Sequence, residues 1–224
     1  MTDAHCHLVS GRMRHFVCGD APAGDGDVRF LGFHPWDSSR YDAAAAENLR
    51  SRLAADSCLG VGEIGLDRLR EREIPSFMRE AFLDQLKAAA DFSRPVVLHG
   101  AKCWGEVVKA CRPFTDAIPA FLFHGFSRSD GLLADIAAMN GFISIGPAIL
   151  NDHAVNYRAL AKKIPSRILL VETDRTESTP ADAPGAMDVL SKLAELRGVS
   201  SAELESVIEQ NAGRFVSSLS REAR

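Results

Sequence analysis

The stretch PVVLHGAKCWGEVVKACRPFTDAIPAFLFHG, from Pro95 to Gly125, carries the plan of the fold. It opens on an apolar run, Pro95–Leu98, that ends on His99 and Gly100. An amphipathic segment near Trp104–Cys111 follows, and then a second apolar run, Ala120–Phe123, ends again on a histidine and a glycine, His124 and Gly125. Short β-prone runs separated by longer amphipathic stretches are the signature of parallel strands joined by helical crossovers.

The same rhythm extends in both directions. Strands are expected at Asp3–His7, Val28–Phe33, Leu59–Ile64, Phe142–Ile145 and Ile168–Val171, in addition to the two above. Helices are expected near Ala43–Ala55, Ser76–Phe92, Trp104–Cys111, Ser129–Met139, Ala154–Lys163 and Ala183–Arg197, with a last one, Ser201–Leu219, packed on the outside. Asp42 and Ser129 suit N-caps, and Gly141 and Gly198 follow helical stretches as C-terminal stops do. Periodicity alone does not separate a closed barrel from an open sheet, but seven or eight parallel strands of this spacing favour a β/α barrel of TIM type. Residues 1–224 are read as one such domain.

The region Leu8–Asp27 breaks the rhythm. If Arg14–Cys18 is the second strand, its connection to the first is far shorter than the ~10–12 residues a helical crossover needs. The first outer helices are therefore expected to be missing, leaving that side open or screened by a partner subunit or the C-terminal helix.

Composition is that of an ordinary globular protein, 46% hydrophobic and 25% charged. No apolar run approaches the roughly 18 residues that span a bilayer, and the N-terminus lacks a basic-then-apolar leader, so no membrane association and a cytoplasmic location are expected. Five scattered cysteines without a Cys-x-x-Cys pair read as reduced thiols. A formal charge of -4 excludes global attraction to a polyanion, and any nucleic-acid contact must rest on a local basic patch.

The chemistry lies at the strand ends. Asp3-Ala4-His5-Cys6-His7-Leu8 puts two imidazoles on one face of a strand. Alone, that pair reads equally as a metal site or as two polar residues at a strand terminus. Val61-Gly62-Glu63-Ile64-Gly65, Leu98-His99-Gly100, Phe123-His124-Gly125 and Val171-Glu172-Thr173-Asp174 then deliver further ligand types where barrel active sites sit. Any one of these has a bland reading as a polar strand cap. Together they suffice for two adjacent metal sites, with Glu63 bridging if its oxygens are divided between them. Imidazole and carboxylate donors suit zinc, manganese or iron, and ligand identity does not choose among them.

Across most of the chain these elements resemble the TatD family of metal-dependent deoxyribonucleases, within the amidohydrolase-like barrels. The resemblance is carried, in order, by Asp3-Ala4-His5-Cys6-His7-Leu8, Gly32-Phe33-His34-Pro35, Gly62-Glu63-Ile64-Gly65-Leu66-Asp67, Pro95–His99, His124-Gly125-Phe126-Ser127 and Glu172-Thr173-Asp174. It implies one or two divalent ions (zinc, manganese or magnesium) held by His5, His7, Glu63, His99, His124 and Asp174. It also implies hydrolysis of DNA or another phosphodiester bound transiently, in the manner of a 3′-5′ exonuclease, with Asp174 and Glu63 as catalytic groups. His34 is either a substrate-contacting or supporting group, or only satisfies backbone before the turn at Pro35. Lys102 and Arg128, just past two ligand-bearing strands, are candidates to touch phosphate or to form a solvated helical turn; Arg175, directly after Asp174, has the stronger claim to proximity as a substrate contact, unless its side chain points away from the metals.

Departures from the family pattern are Trp36, where another histidine is common, Arg175, where a small or acidic residue is common, and short segments between Leu8 and Phe30 and after Asp174. Related amidohydrolases often bridge their metals with a carbamylated lysine at the place Glu63 occupies, which disfavours dihydroorotase-like or phosphotriesterase-like activity. The alternatives are hydrolysis of an amide, ester or lactone by the same activated water, and a metal-binding protein without turnover.

Overall fold

The computed structural model describes residues 1–70, 72–127 and 129–219. Eight parallel strands lie in sequential order: β1 (Thr2–Cys6), β2 (Arg14–Cys18), β3 (Val28–Leu31), β4 (Gly60–Asp67), β5 (Val96–Ala101), β6 (Phe121–Phe123), β7 (Gly141–Ile145) and β8 (Leu169–Val171). Around them stand α1 (Ala43–Ala55), α2 (Ser76–Asp91), α3 (Trp104–Cys111), α4 (Leu133–Ala138), α5 (Val155–Lys163), α6 (Ala186–Arg197) and α7 (Ser201–Phe215). The barrel closes between β1 and the residues just after β8. The Asp174 and His7 amides donate to the carbonyls of His5 (3.0 Å) and Arg175 (2.8 Å), and Asp3 accepts from the Thr173 amide and hydroxyl at 2.9 and 2.6 Å.

No helix lies between β1 and β2 or between β2 and β3, as the short connections require. The chain screens this side itself. α7 covers β1, with the Met1 amine 3.2 Å from Glu205 and the Thr2 hydroxyl 3.1 Å from Glu209. His15, facing outward from β2, ties both flanking loops together: its ring reaches Asp27 at 3.1 Å and the Ser10 carbonyl at 3.0 Å.

The other end of the barrel is plugged. Rings of Phe16 on β2, Phe30 on β3 and Phe142 on β7 meet Phe215, the last residue of α7, at centroid distances of 5.6 to 5.7 Å. β2 and β7 are not neighbours in the sheet, so rings from both can meet only inside the barrel. α7 also packs on the turn preceding β8, which puts this plug at the amino ends of the strands, opposite the histidines.

Several element ends differ from the sequence expectation, each for a visible reason. β3 stops at Leu31 because the Phe33 amide and carbonyl leave the ladder for the Gln85 side chain, at 2.7 and 3.3 Å. β4 runs three residues past Ile64, pairing Asp67 with Ala101. Asp42 caps α1 by accepting from the Ala45 amide at 2.9 Å, whereas Ser129 stands before a 3-10 turn and its side chain makes no cap bond. Gly141 is not a helix stop. Asn140 takes the left-handed turn (φ 55°) and Gly141 begins β7, where a Cβ would lie 2.5 Å from the Ile136 carbonyl oxygen. Gly198 does end α6 in the left-handed conformation (φ 67°). α6 starts at Ala186 rather than Ala183 because Pro184 and Gly185 precede it, and α7 ends at Phe215 rather than Leu219.

Candidate metal centre

Glu63 stands at the middle of the open end of the barrel, on a stretch of β4 that lies unusually close to β5. A Cβ at Gly65 (φ 153°) would come 2.0 Å from the His99 carbonyl oxygen, and one at Gly62 would come 2.8 Å from the Val97 Cβ. The glycines on either side of the carboxylate are thus demanded by the approach of the two strands.

The Glu63 carboxylate divides its oxygens. Oε2 faces Nε2 of His5 and of His7 at 3.4 and 3.1 Å, while Oε1 faces His99 Nδ1 and His124 Nε2 at 2.6 Å each and His34 Nε2 at 3.7 Å. Asp174 adds Oδ1 on the first side, 3.3 Å from His5 and 3.8 Å from His7. Three groups of donor atoms result that could each hold a cation: His5, His7 and Asp174; His5, Glu63 and His124; His34, Glu63 and His99. Asp174 is a non-glycine residue in the left-handed region (φ 51°), a conformation held by its backbone bond to His5.

This donor set suits a divalent ion. His5 is wholly buried, and its Nε2 finds no hydrogen-bond partner although two carboxylate oxygens lie within 3.4 Å. A buried nitrogen left unpaired between carboxylates is what a ligand awaiting a cation looks like. Burial opposes protonation of His5, His99 and His124, yet the neighbouring charged groups outweigh it, Glu63 among them in each case, and all three are shifted upward, His124 to about 9. Burial would likewise raise Glu63, but His124 and His5 hold it well below the usual carboxylate range. A carboxylate that gathers protons onto the imidazoles around it exchanges those protons for a metal ion. His34 behaves differently, because burial pushes it down to about 4 and it stays neutral.

A supporting layer orients these rings. Asp67 Oδ2 lies 2.9 Å from His99 Nε2 and accepts from the Trp36 indole N–H at 2.9 Å, and Asp67 Oδ1 accepts from the Leu69 amide at 2.5 Å. Glu172 accepts from the Gly125 amide at 2.8 Å and from the Ser144 hydroxyl, and lies 3.7 Å from His124 Nδ1. Cys18 Sγ sits 3.5 Å from His5 Nδ1. Partners of this kind fix a ligand's tautomer and ring angle. The sequence assigns no role to Cys18, nor to Asp67, which closes the Gly62–Asp67 motif and lies four residues beyond Glu63 on one strand, and so on the same face.

Two cavities open onto the centre. One, of about 890 Å³, is lined by His99, His124 and Asp174 together with Lys102 and Arg68. The other, of about 450 Å³, is lined by His7, His34, Glu63 and Trp36. Lys102 thus reaches the cleft, exposed and in the left-handed region (φ 57°). His34 does both things expected of it, since Nδ1 accepts from the Trp36 amide at 3.1 Å while Nε2 faces Glu63. Arg175 lines neither cavity. It is buried, and its guanidinium donates to the carbonyls of Pro180 and Ala183 at 3.2 and 3.0 Å, which holds the loop after β8 in place. Arg128 lies outside the described residues.

Imidazoles and carboxylates gather at the carboxyl ends of the strands of a parallel β/α barrel, the face where barrel enzymes carry their active sites. The chain belongs to the TatD related DNase family, whose profile matches residues 24–217. Among curated relatives, the 3′-5′ ssDNA/RNA exonuclease TatD of Cronobacter sakazakii is 28% identical over 211 residues, 89% of this chain and 80% of that protein. The protein of the same name from Pectobacterium carotovorum is 30% identical over 195 residues, 82% of this chain and 75% of its own length. Among solved structures, a TatD homologue from Escherichia coli shares the fold at a TM-score of 0.82 with 22% identity, covering 96% of each chain. A TatD family hydrolase from Entamoeba histolytica does so at 0.73 with 13% identity, over 90% of this chain and 84% of that one.

Proposed function

We propose that this chain hydrolyses phosphodiester bonds of single-stranded nucleic acid, removing nucleotides from the 3′ end. The observation that carries the proposal is the Glu63 carboxylate, which turns one oxygen to His5 and His7 and the other to His99 and His124 beside a cleft bearing Lys102. The two relatives described above are named for that activity.

In this proposal His5, His7, Glu63, His99, His124 and Asp174 hold one or two divalent cations, zinc, manganese or magnesium. Such an ion supplies Lewis acidity toward water and toward phosphate oxygens. The chain's own groups do the rest. Asp174, half exposed to the cleft, takes the proton of the attacking water. The water oxygen bonds to phosphorus, the bond from phosphorus to the preceding nucleotide's 3′ oxygen breaks, that oxygen takes a proton from solvent to become the new 3′ hydroxyl, and a 5′-mononucleotide leaves. Lys102 pairs with phosphate oxygens, which supplies local positive charge that the net charge of -4 does not. Residues 1–224 act as one catalytic domain. Five free thiols and the absence, among the described residues, of any helix long and apolar enough to cross a membrane support a cytoplasmic location.

The test uses single-stranded DNA labelled at its 5′ end, incubated with the protein and magnesium, manganese or zinc. A ladder shortening from the 3′ end, abolished by chelation and by Glu63→Ala or Asp174→Ala, is expected. Unchanged DNA alongside brisk turnover of an amide, ester or lactone overturns the proposal, as do fully active Glu63→Ala and Asp174→Ala proteins.

A further inference from the structure

Trp36 is the one large aromatic residue among those lining the cavity that contains Glu63, His7 and His34 and is also exposed, at 47%. Its indole is anchored at the edge by the N–H bond to Asp67 and flanked by the His34 ring at 4.9 Å, nearly perpendicular. The ring also borders a smaller cavity lined by Pro75, Phe77 and Arg70, and the Arg70 guanidinium lies over the ring with its carbon 3.7 Å from the centroid. Arg70 lines that second cavity and is not among the residues lining the one with Glu63. The guanidinium thus covers the indole as a planar nucleobase would, and Trp36 itself also lines the cavity with Glu63.

Held by its edge, the indole loses little freedom when a second ring settles on it, and a π face accepts any base. We infer that Trp36 is a base-stacking platform, and that a nucleotide next to the scissile phosphate lies in the cavity shared by Trp36, His34 and Glu63. This inference rests on the proposed hydrolysis of single-stranded nucleic acid. It adds a specificity determinant to it: substrates with a base at that position are preferred over phosphodiesters without one, and the preference is tolerant of base identity.

Trp36 has a second contact, its N–H bond to Asp67, so the test must separate ring from donor. Trp36→Phe keeps an aromatic face and loses the N–H, whereas Trp36→Ala loses both. Steady-state cleavage is measured on a ten-residue oligothymidylate and on a strand of the same length carrying abasic residues near its 3′ end. Stacking requires the KM of Trp36→Ala on oligothymidylate to exceed that of Trp36→Phe by roughly 5- to 150-fold, and the two to agree on the abasic strand. A readout independent of turnover is tryptophan fluorescence of chelator-treated protein. The chain has two tryptophans, and Trp104 is buried, so oligothymidylate should quench wild type and leave Trp36→Phe unchanged, whereas the abasic strand should quench neither protein. If the Phe and Ala variants are impaired equally on both strands, the N–H bond is the residue's contribution and stacking is refuted. If wild type cleaves oligothymidylate and Trp36→Ala matches it, stacking alone fails. If wild type cleaves neither strand and shows no quenching, the nuclease proposal falls and takes the platform with it.

Discussion

Replacing Asp67 tests how far the centre depends on residues that are not themselves ligand candidates. Three donors converge on its carboxylate, which is 1% exposed: His99 Nε2 and the Trp36 indole on Oδ2, and the Leu69 amide on Oδ1. With the proton on Nε2 held by Asp67, His99 can give up the Nδ1 proton it shares with Glu63 and offer that nitrogen to a metal. Asp67→Ala removes all three bonds and frees the ring to rotate or change tautomer. Losing a supporting partner of this kind costs about 10- to 100-fold in metal affinity or activity, and the alanine variant belongs at the upper end. Asp67→Asn can turn its carbonyl oxygen toward His99 and Trp36, but its NH₂ then faces the Leu69 amide and the negative charge is gone. That leaves one mismatched donor instead of three, and a loss of about tenfold. Isothermal titration with manganese or zinc, with turnover on labelled single-stranded DNA measured in parallel, reads both effects. A wild-type affinity in Asp67→Ala, or a larger loss in Asp67→Asn than in Asp67→Ala, would refute the reasoning.

Other substitutions probe the remaining parts. Asp3 is buried, which raises its pKa from 3.8 to about 6 despite the bonds from Thr173. A folded-state pKa above the unfolded one means that its contribution is complete below about 4 and is lost as pH rises through 6. Asp3→Asn keeps an acceptor for the Thr173 amide and carries no charge, so its Tm should gain on wild type between pH 5 and pH 8. A difference independent of pH would contradict this. Phe215→Ala opens the aromatic plug at the amino end of the barrel and should destabilise by about 3–5 kcal/mol in a urea titration, with metal content per folded protein unchanged. Lys102→Ala should raise the KM for oligonucleotides several-fold without altering metal stoichiometry, and an unchanged KM would remove it from the substrate path.

Much of this architecture was legible in the chain because two periodicities and one rule of barrel chemistry agree. Runs such as Val96–Leu98 and Phe121–Phe123 are continuous and apolar because strands inside a β/α barrel are buried on both faces, and the polar residue that follows each run marks the carboxyl end. The missing early helices were equally readable, since the connection from Cys6 to Arg14 is too short for one. What escaped depended on contacts between residues distant in sequence. Asp67 closes the Gly62–Asp67 motif but carries no role in the sequence, because β4 is expected to end at Ile64 and only its continued pairing with β5 carries the strand to Asp67. The direction of the Arg175 side chain stays open in the sequence, where its neighbour is Asp174, and is set by its bonds to the carbonyls of Pro180 and Ala183. Phe215 gave no sign that the last residue of an outer helix would fill the barrel floor, because that role is set by how α7 crosses the strand ends.

The claim on which everything else depends is that Glu63 is the shared centre of the metal-binding cluster. Anomalous diffraction from crystals of the manganese- or zinc-loaded protein tests it most directly. The account requires one or two peaks, each at a coordination distance of about 2.0–2.2 Å from a Glu63 oxygen, with His5, His7 and Asp174 on one side and His99 and His124 on the other. Peaks that bypass Glu63, or a loaded crystal with no ion among these residues, would contradict it.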